Sequence, residues 1–178
     1  MSPQAGFDTS TVMAGTASSP TLRGFRKCSS RRWLYTPIST FYHLIVNLLS
    51  VQVVAGVIER DGLLLICQRK AGDRYALKWE FPGGKVEPGE DPRTALGREL
   101  EEELALEASI GEEILRYTYQ YPARAPVLLI FYRVTEYRGE PSNRQFEQIR
   151  WEPRQRLLEY DFLDGDGEFV RRLVRGDV

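Results

Sequence analysis

The stretch Gly84–Leu106, GKVEPGEDPRTALGRELEEELAL, decides the fold of this chain. Asp91 and Pro92 predict the start of a helix, because aspartate is a favoured N-cap and proline fits the first helical position. A leucine then recurs every four residues, which predicts an apolar stripe that packs on a core. These leucines are Leu96, Leu100 and Leu104. We therefore expect a glycine turn followed by an amphipathic helix.

Three glutamates of this helix, Glu99, Glu102 and Glu103, are spaced at i, i+3 and i+4 and share one side. Like charges at such spacings destabilise a helix by about 0.2–0.5 kcal/mol per pair, and a bound divalent cation reverses the sign of that interaction. Oxygen ligands without a neighbouring cysteine or histidine suit Mg²⁺ or Mn²⁺. The pattern predicts a metal site at the edge of a cleft.

A solvated acidic helix is the alternative interpretation, with Arg98 and Glu102 as a surface ion pair. The residues in front of the helix favour the metal site instead. A glycine turn, Lys85 and the separate Glu90 precede the helix, and this combination is more specific than a run of acids. We therefore expect a site for a metal-bound diphosphate group.

The spacing resembles the Nudix box, G-x5-E-x7-R-E-U-x-E-E-x-G-U, where U is a bulky apolar residue. The matching residues are Gly84, Glu90, Arg98, Glu99, Leu100, Glu102, Glu103 and Leu106. Ala105 stands where the pattern has its last glycine, at a position that favours a left-handed turn. Alanine there costs about 1 kcal/mol and removes no chemistry. The resemblance extends over residues 51–178.

A second run, Trp79–Glu87, reads WEFPGGKVE and resembles the MutT-like branch of that family. Members of this branch hydrolyse nucleoside triphosphates to the monophosphate and pyrophosphate, and oxidised purine nucleotides such as 8-oxo-dGTP are their best-known substrates. A close relative prefers CTP. The resemblance implies nucleotide-pool sanitation as the role. It also implies an α+β fold, an α/β/α sandwich in which a mixed sheet carries the box loop and helix.

The resemblance also implies roles for the box residues. Glu99, Glu102 and Glu103 would bind Mg²⁺ or Mn²⁺ with help from the Gly83 carbonyl, and Glu99 or a nearby carboxylate would also orient the attacking water. Arg98 would hold the Glu99 side chain in place. Glu90 would brace the loop by pairing with a cation such as Arg98. These residues form the predicted catalytic and metal-binding set.

Substrate contacts follow from the same resemblance. Lys85 and Arg69 would meet the phosphates, and Asp166 would read the edge of the base. We further expect one aromatic residue to touch the base, and the candidates are Trp79, Phe81 and Tyr119.

A fourth carboxylate is common in the family, six residues before the tryptophan of an Arg-Trp strand end. Here that position is Gln145, which cannot ionise. Glu147 lies two residues further along, about 7 Å in an extended chain, and on the same strand face. Glu147 is therefore the predicted replacement as a metal ligand.

Composition limits the remaining function classes. The chain has 178 residues and a net charge of −1, which argues for one domain plus a tail and against tight binding to a nucleic-acid polymer. Cys28 and Cys67 make no disulfide framework, and the apolar run around Cys67 predicts a buried thiol in a reducing compartment. His43 is the single histidine, so a Ser-His-Asp or Cys-His centre is disfavoured.

Residues 1–50 differ from the rest of the chain. They contain five basic residues and the single acid Asp8, and we expect a poorly ordered extension with a short helix at Thr40–Leu49. Three interpretations stay open: a mispredicted upstream start, a transit peptide, or a secretory signal or membrane anchor. The apolar stretch Phe41–Val51 is too short to span a bilayer. We expect a cytoplasmic protein, or an organellar one if this segment is a transit peptide.

Regular patterns begin at residue 51. Two strands joined by a turn at Arg60–Gly62 are predicted first, and strands and a final amphipathic helix follow the box. The predicted strands are Val51–Ile58, Leu63–Arg69, Ser109–Tyr121, Val127–Tyr137 and Gln148–Trp151, followed by a turn or helix from Pro153 to Leu158 and a helix at Gly167–Val174.

Three functions stay open at this stage. The first is a MutT-like nucleoside triphosphate pyrophosphatase acting on a small nucleotide, as a monomer or homodimer. The second is a hydrolase of another nucleoside diphosphate derivative, such as a nucleotide sugar or a dinucleoside polyphosphate. The third is a non-catalytic binding module of the same fold, although such modules commonly lose acids of the box that this chain retains.

Overall fold

The computed structural model describes residues 51–178, so the predicted N-terminal extension and its helix at Thr40–Leu49 lie outside the described residues. Strands dominate this region. They are β1 (Val51–Val57), β2 (Glu59–Arg60), β3 (Leu63–Gln68), β4 (Trp79–Glu80), β5 (Gly83–Lys85), β6 (Glu107–Tyr119), β7 (Val127–Arg138) and β8 (Gln148–Pro153). The helices are α1 (Pro92–Leu104), a 3₁₀-helix (Arg154–Glu159) and α2 (Gly167–Arg175). None of the helices in this part of the chain is long and apolar enough to cross a membrane.

The first sheet is mixed, as predicted, and has the strand order β5–β1–β7–β6. Strands β1 and β7 are parallel, with Val51 opposite Val127 and Val57 opposite Arg133. Strand β5 pairs antiparallel with β1, and β6 pairs antiparallel with β7. This arrangement places the glycine turn on the edge strand β5, next to β1.

The second sheet is antiparallel and is built around β3, which pairs with β2, β4 and β8. The sequence predicted a turn at Arg60–Gly62, and Asp61 and Gly62 do form it, with φ of 54° and 76°. Positive φ at both central residues is the requirement of a tight two-residue hairpin. The hairpin joins β2 to β3, however, because β1 ends at Val57 and lies in the first sheet.

The two helices lie on different apolar clusters, and strand alternation explains why. Neighbouring residues of one strand point to opposite faces, so Ile130 joins the cluster under α1 while Phe131 joins the cluster under α2. The predicted leucine stripe of α1 is fully buried. Phe169 and Leu173 of α2 are buried in the other cluster. The result is the predicted layered arrangement of helix, sheet and helix.

The remaining elements differ from their predictions mainly at their ends. Strand β6 starts two residues before the predicted Ser109 and contains several register shifts, and β8 continues to Pro153. The predicted turn or helix after Pro153 is the 3₁₀-helix. The short strands β2, β4 and β5 were not predicted, because strands of two or three residues depend on their partners more than on a local pattern.

The predicted buried thiol is present. Cys67 is fully buried on β3 and is a free cysteine. Burial raises the pKa of the thiol well above its usual value, and the nearby Glu103 and Glu80 carboxylates add to this effect. The thiol is therefore protonated and acts as a small apolar core group.

Candidate active site

The glycine turn fixes one wall of the site. Gly83 and Gly84 lie on β5 opposite Ala55 and Val54 of β1. A Cβ atom on Gly84 would lie 2.4 Å from the carboxyl carbon of Glu99, closer than any side chain allows. Only glycine at position 84 therefore lets the Glu99 carboxylate lie directly against the backbone of the turn.

Both ends of α1 follow from the local sequence. The Asp91 side chain accepts hydrogen bonds from the Arg93 and Thr94 N–H groups at 3.0 and 3.2 Å, as an N-cap does. At the other end Ala105 adopts φ 58° and ψ 34° and its N–H bonds to the carbonyls of the last turn. The left-handed turn is thus retained although alanine replaces the glycine of the box.

Arg98 is the centre of an ion-pair network that joins α1 to the residues in front of it. Its guanidinium contacts both carboxylate oxygens of Glu90 at 3.1 Å, Glu99 at 2.9 Å and Glu102 at 3.6 Å. It also donates to the Lys85 carbonyl at 3.2 Å. The two contacts that the family resemblance implied, Arg98 with Glu99 and Glu90 with Arg98, are both present. Their part in catalysis stays a prediction.

The three box glutamates differ in burial. Glu103 is buried, and its Oε2 accepts the Gly83 N–H at 3.0 Å. Glu99 lies against Gly84, and only 16 % of its side chain is exposed. The Glu102 side chain is 52 % exposed. The structure therefore brings Glu99 and Glu103 to the glycine turn and leaves Glu102 facing solvent.

The charge around Glu103 is poorly compensated. The pKa of Glu103 is raised to about 8, chiefly by burial and also by the negative charges of Glu80 and Glu99, against the lowering effect of the hydrogen bond from the Gly83 N–H. A divalent cation would relieve this repulsion, and a set of carboxylates with a backbone carbonyl suits Mg²⁺ or Mn²⁺. Within residues 51–178, no three Asp, Glu, His or Cys side chains yet lie close enough together to hold a metal ion.

Glu80 is a site residue that the sequence analysis did not identify. It lies on β4, and Arg69 Nη1 contacts its two oxygens at 3.0 and 3.1 Å. Burial raises the pKa of Glu80 to about 6, and the charge of Arg69 opposes that shift. The signal was strand alternation, because Trp79 and Phe81 point to the core under α2 and Glu80 between them must point the other way.

The two predicted phosphate-binding cations lie in different surroundings. The Arg69 guanidinium already has protein partners, since it also donates to the Arg74 carbonyl at 2.8 Å and lies 3.9 Å from Asp73. The Lys85 side chain is exposed at the end of β5. Lys85 can therefore reach a phosphate without breaking an existing contact, whereas Arg69 would share its charge with Glu80.

Asp166 occupies the N-cap position of α2 but makes no capping hydrogen bond. The residue is buried, and burial raises the pKa of its carboxyl to about 8. The charge of Glu80 contributes to this shift of the pKa, and a hydrogen bond from the Phe81 N–H opposes it. The carboxyl thus faces the Phe81 N–H and Glu80 rather than its own helix.

The three aromatic candidates are placed differently. Trp79 and Phe81 are buried in the cluster under α2. Tyr119 is half-buried and lines a surface cavity of about 460 Å³ together with Phe162 and Leu158. Of the three rings, Tyr119 is the one that borders open space.

The loop before β8 contains the two candidates for the fourth carboxylate position. Gln145 and Glu147 are both exposed on either side of the buried Phe146, and the Glu147 N–H donates to the Gln68 carbonyl at 2.8 Å. This contact ties the loop to the end of β3, next to Arg69. The role of Glu147 as a metal ligand stays a prediction.

Comparison with known proteins agrees with this geometry. The NUDIX domain family matches residues 49–173. An 8-oxo-dGTP diphosphatase from Haemophilus influenzae is 37 % identical over 125 residues, which cover 70 % of this chain and 91 % of that protein. A CTP pyrophosphohydrolase from Escherichia coli is 38 % identical over 116 residues, which cover 65 % of this chain and 85 % of that protein.

Solved structures show the same fold. The solution structure of the E. coli ORF135 protein matches with a TM-score of 0.65 at 33 % identity, and the match covers 74 % of this chain and 94 % of that one. This chain therefore belongs to the Nudix hydrolase family and to its MutT-like branch.

Proposed function

We propose that this Nudix hydrolase cleaves nucleoside triphosphates, oxidised ones such as 8-oxo-dGTP included, to the monophosphate and pyrophosphate, and that it cleans the nucleotide pool. The observation that carries the proposal is the convergence of the Glu99 and Glu103 carboxylates on the Gly83–Gly84 turn. The names of the similar proteins, 8-oxo-dGTP diphosphatase and CTP pyrophosphohydrolase, support the same substrate class.

Nudix hydrolases generally use a divalent metal ion, and here we propose Mg²⁺, with Mn²⁺ as a substitute, bound by Glu99, Glu102, Glu103 and the Gly83 carbonyl. When bound, such an ion neutralises phosphate charge and lowers the pKa of a coordinated water. Arg98 keeps the Glu99 carboxylate aimed at the turn, and Glu90 keeps Arg98 in place. The ion pairs of Arg98 thereby orient the Glu99 side chain before a metal ion and the substrate bind.

The reaction itself is a displacement at phosphorus. The water oxygen bonds to the β-phosphorus, and the bond from that phosphorus to the α–β bridging oxygen breaks, so the monophosphate leaves and pyrophosphate remains. Glu99 orients the water, and no covalent intermediate with the protein forms. Lys85 and Arg69 balance the charge of the phosphates. Glu147 replaces the fourth carboxylate, and Glu147→Gln is expected to weaken activation by the metal.

Base recognition rests on Asp166 and on an aromatic ring. Asp166 is buried next to β4 and reads the base edge by hydrogen bonds. Tyr119 borders a cavity of the size of a small ligand site and is the favoured contact, whereas Trp79 and Phe81 would have to become exposed first. When a site makes hydrogen bonds to one base, a base that cannot form them is rejected, because buried polar groups of the site are then left unpaired.

The partners and location of the protein are proposed in the same way. The substrate is a small nucleotide rather than a nucleic-acid polymer, in line with the near-neutral charge of the chain. We propose a cytoplasmic enzyme, a monomer or homodimer, in which residues 1–50 precede the catalytic domain at 51–178.

A substrate panel tests the function directly. Purified protein is incubated with Mg²⁺ and, separately, with dGTP, 8-oxo-dGTP, CTP and ADP-ribose, and pyrophosphate, orthophosphate and monophosphate are quantified. We expect equal amounts of pyrophosphate and monophosphate from at least one triphosphate. Cleavage of ADP-ribose alone would assign the protein to the nucleotide-sugar class instead.

A charge-neutral substitution tests whether the box carries the activity. Glu102→Gln is expected to lower kcat at least about 100-fold without loss of folding, because one metal ligand loses its charge. Glu101→Gln is the matched control, since Glu101 is exposed on the same helix and lies outside the predicted ligand set. Equal activity of both variants would contradict a metal site on α1.

A further inference from the structure

The residue before Asp166 is held in an unusual way. Gly165 is buried, and tyrosine hydroxyl groups contact its backbone on both sides. The Tyr117 hydroxyl donates to the Gly165 carbonyl at 2.6 Å, and the Gly165 N–H donates to the Tyr121 hydroxyl at 3.2 Å. Tyr117 lies on β6 and Tyr121 lies two residues after its end, and both are more than 40 residues away from Gly165 in sequence.

The Tyr117 contact fixes the peptide that leads into Asp166, and the Tyr121 contact holds the preceding peptide, to which the Gly165 N–H belongs. The Gly165 carbonyl and the Asp166 N–H belong to one peptide plane, and the Asp166 N–H donates to the Leu163 carbonyl at 2.9 Å. Tyr117 therefore holds one edge of this plane while Leu163 holds the other. The direction in which the Asp166 side chain leaves the backbone depends on that plane.

The fit around Gly165 leaves no room for a side chain. A Cβ atom at this position would lie 2.6 Å from the Tyr121 hydroxyl oxygen and 3.1 Å from Leu129 Cδ1. Glycine is required here because the tyrosine approaches so closely, since the backbone φ of Gly165 is not in the left-handed region. The hydroxyl oxygen is the nearest atom, so its removal would create space.

The tyrosine rings are themselves well fixed. Tyr117 stacks on Phe131 with ring centroids 5.9 Å apart, and Phe131 stacks on Phe169 of α2 at 3.9 Å. Tyr121 contacts the rings of Tyr119 at 4.7 Å and Tyr75 at 5.3 Å. Burial raises the pKa of Tyr121 to about 12 and that of Tyr117 still further, so both hydroxyls keep their protons at neutral pH.

We propose that Tyr117 and Tyr121 are positioning residues for base selection: together they clamp the Gly165 peptide and thereby aim the Asp166 carboxyl at the nucleobase. The inference rests on the proposed function, in which Asp166 reads the base edge. It differs from a stacking role, because here the hydroxyl groups of the tyrosines act rather than the ring faces. Loss of either hydroxyl should let Asp166 move and should weaken discrimination between bases.

The first test compares isosteric variants. Tyr117→Phe, Tyr121→Phe and Asp166→Asn are assayed for kcat and KM with 8-oxo-dGTP, dGTP and CTP, at saturating Mg²⁺. The selectivity ratio of each protein is its kcat/KM for the best of these substrates divided by its kcat/KM for the poorest. We expect this ratio to fall at least about 5-fold in each variant, because KM for the best substrate rises. In Tyr117→Phe and Tyr121→Phe the kcat and the Mg²⁺ activation constant should change less than about 2-fold, because neither hydroxyl belongs to the proposed metal site.

Tyr132→Phe is the matched control. Tyr132 is a buried tyrosine of the same sheet, and within residues 51–178 the structure shows no hydrogen bond for its hydroxyl and no contact with Gly165. Its selectivity ratio should stay within about 2-fold of the wild-type value. A ratio that falls equally in Tyr132→Phe would mean that any buried hydroxyl matters, and the clamp would be rejected.

A rescue experiment isolates the contact at Gly165. Gly165→Ala places a methyl group against the Tyr121 oxygen and is expected to lower the selectivity ratio at least about 10-fold. The double variant Gly165→Ala with Tyr121→Phe removes the clashing oxygen and should be more selective and more stable than Gly165→Ala alone. Additive losses in the double variant would overturn the inference.

Failure of this inference can be told apart from failure of the proposed function. If the wild-type protein releases no pyrophosphate from any triphosphate, the proposed function is wrong, and the clamp falls with it. If the wild-type protein cleaves and discriminates normally, and Tyr117→Phe and Tyr121→Phe keep its ratio, only the clamp is wrong. A ratio unchanged in Asp166→Asn would also overturn the inference, because Asp166 would not read the base.

Discussion

Two aspartates begin the two α-helices, and their surroundings differ. Asp91 is exposed, and its carboxylate accepts two backbone N–H groups at the start of α1. Asp166 holds the same position at α2, but it is buried and makes no capping hydrogen bond with its helix. The first aspartate stabilises its helix, whereas the second gives up that contribution.

The difference indicates that the two N-cap aspartates contribute differently to helix stability. Burying an acid without a full ion pair costs free energy, and a missing cap adds to that cost, so helix stability does not explain Asp166. Perturbed acids of this kind cluster at functional sites. Helix α1 has a regular N-terminus, and the acids proposed to bind a metal ion lie in its later turns. In α2 the acid proposed to read the base lies at the N-cap, directly before the helix.

The largest expected effect is the loss of activity caused by a substitution on α1. Glu99→Gln should lower kcat at least about 100-fold, because the carboxylate against Gly84 loses its charge for the metal ion and its pair with Arg98. Steady-state kinetics with a Mg²⁺ titration measures the loss. Glu101→Gln should retain activity within about 2-fold, and an equal loss there would show that general charge, not the site, matters.

The acid of α2 should give the stability of the domain a pH dependence. The pKa of Asp166 is about 8 in the fold against an ordinary value of 3.8, so the folded state binds the proton more tightly and stability falls as pH rises between these values. Asp166→Asn cannot ionise at this position. Between pH 5 and pH 8 its free energy of unfolding should therefore fall by about 1–3 kcal/mol less than that of the wild type.

Urea unfolding with a chelator present, at pH 5 and pH 8, measures this difference. Asp61→Asn is the control, because Asp61 is exposed in the β2–β3 turn and asparagine tolerates the same left-handed backbone. Identical pH slopes for the wild type and Asp166→Asn would show that the buried carboxyl does not titrate in this range.

The cap of α1 should affect stability alone. Asp91→Ala removes two hydrogen bonds from the first turn and is expected to lower the free energy of unfolding by about 1 kcal/mol, or Tm by about 3 °C. Thermal unfolding and kcat/KM are measured together, with Asp91→Ser as the variant that keeps a cap. Lost activity at an unchanged Tm would remove the distinction between the two aspartates.

The smallest expected effect lies at the other end of α1. Ala105 has φ 58°, a conformation that glycine adopts at lower cost, so Ala105→Gly should raise the free energy of unfolding by about 0.5–1 kcal/mol. The exposed Ala71 is not among the positive-φ residues, so Ala71→Gly should bring no such gain. A lower free energy of unfolding in Ala105→Gly would show that the methyl group of Ala105 makes stabilising packing contacts.

Much of α1 could be predicted because its signals are local. The N-cap, the leucine stripe and the spacing of the glutamates all lie within one helix, and the pairing of Arg98 with Glu90 spans only eight residues. Helical periodicity relates such neighbours directly. The hairpin turn at Asp61–Gly62 was predictable for the same reason, although the short strand β2 that precedes it was not.

The amino-acid sequence by itself determined the box helix, its capping and the membership of the family, and it set the spacing of the acids for which a metal site is proposed. Only the tertiary structure decided which of those acids is buried, that Glu80 pairs with Arg69, and that two tyrosine hydroxyls contact Gly165 before Asp166. The physical reason is distance along the chain. Glu80 lies 11 residues from Arg69 and the two tyrosines lie more than 40 residues from Gly165, and no local period encodes which strand will lie beside which.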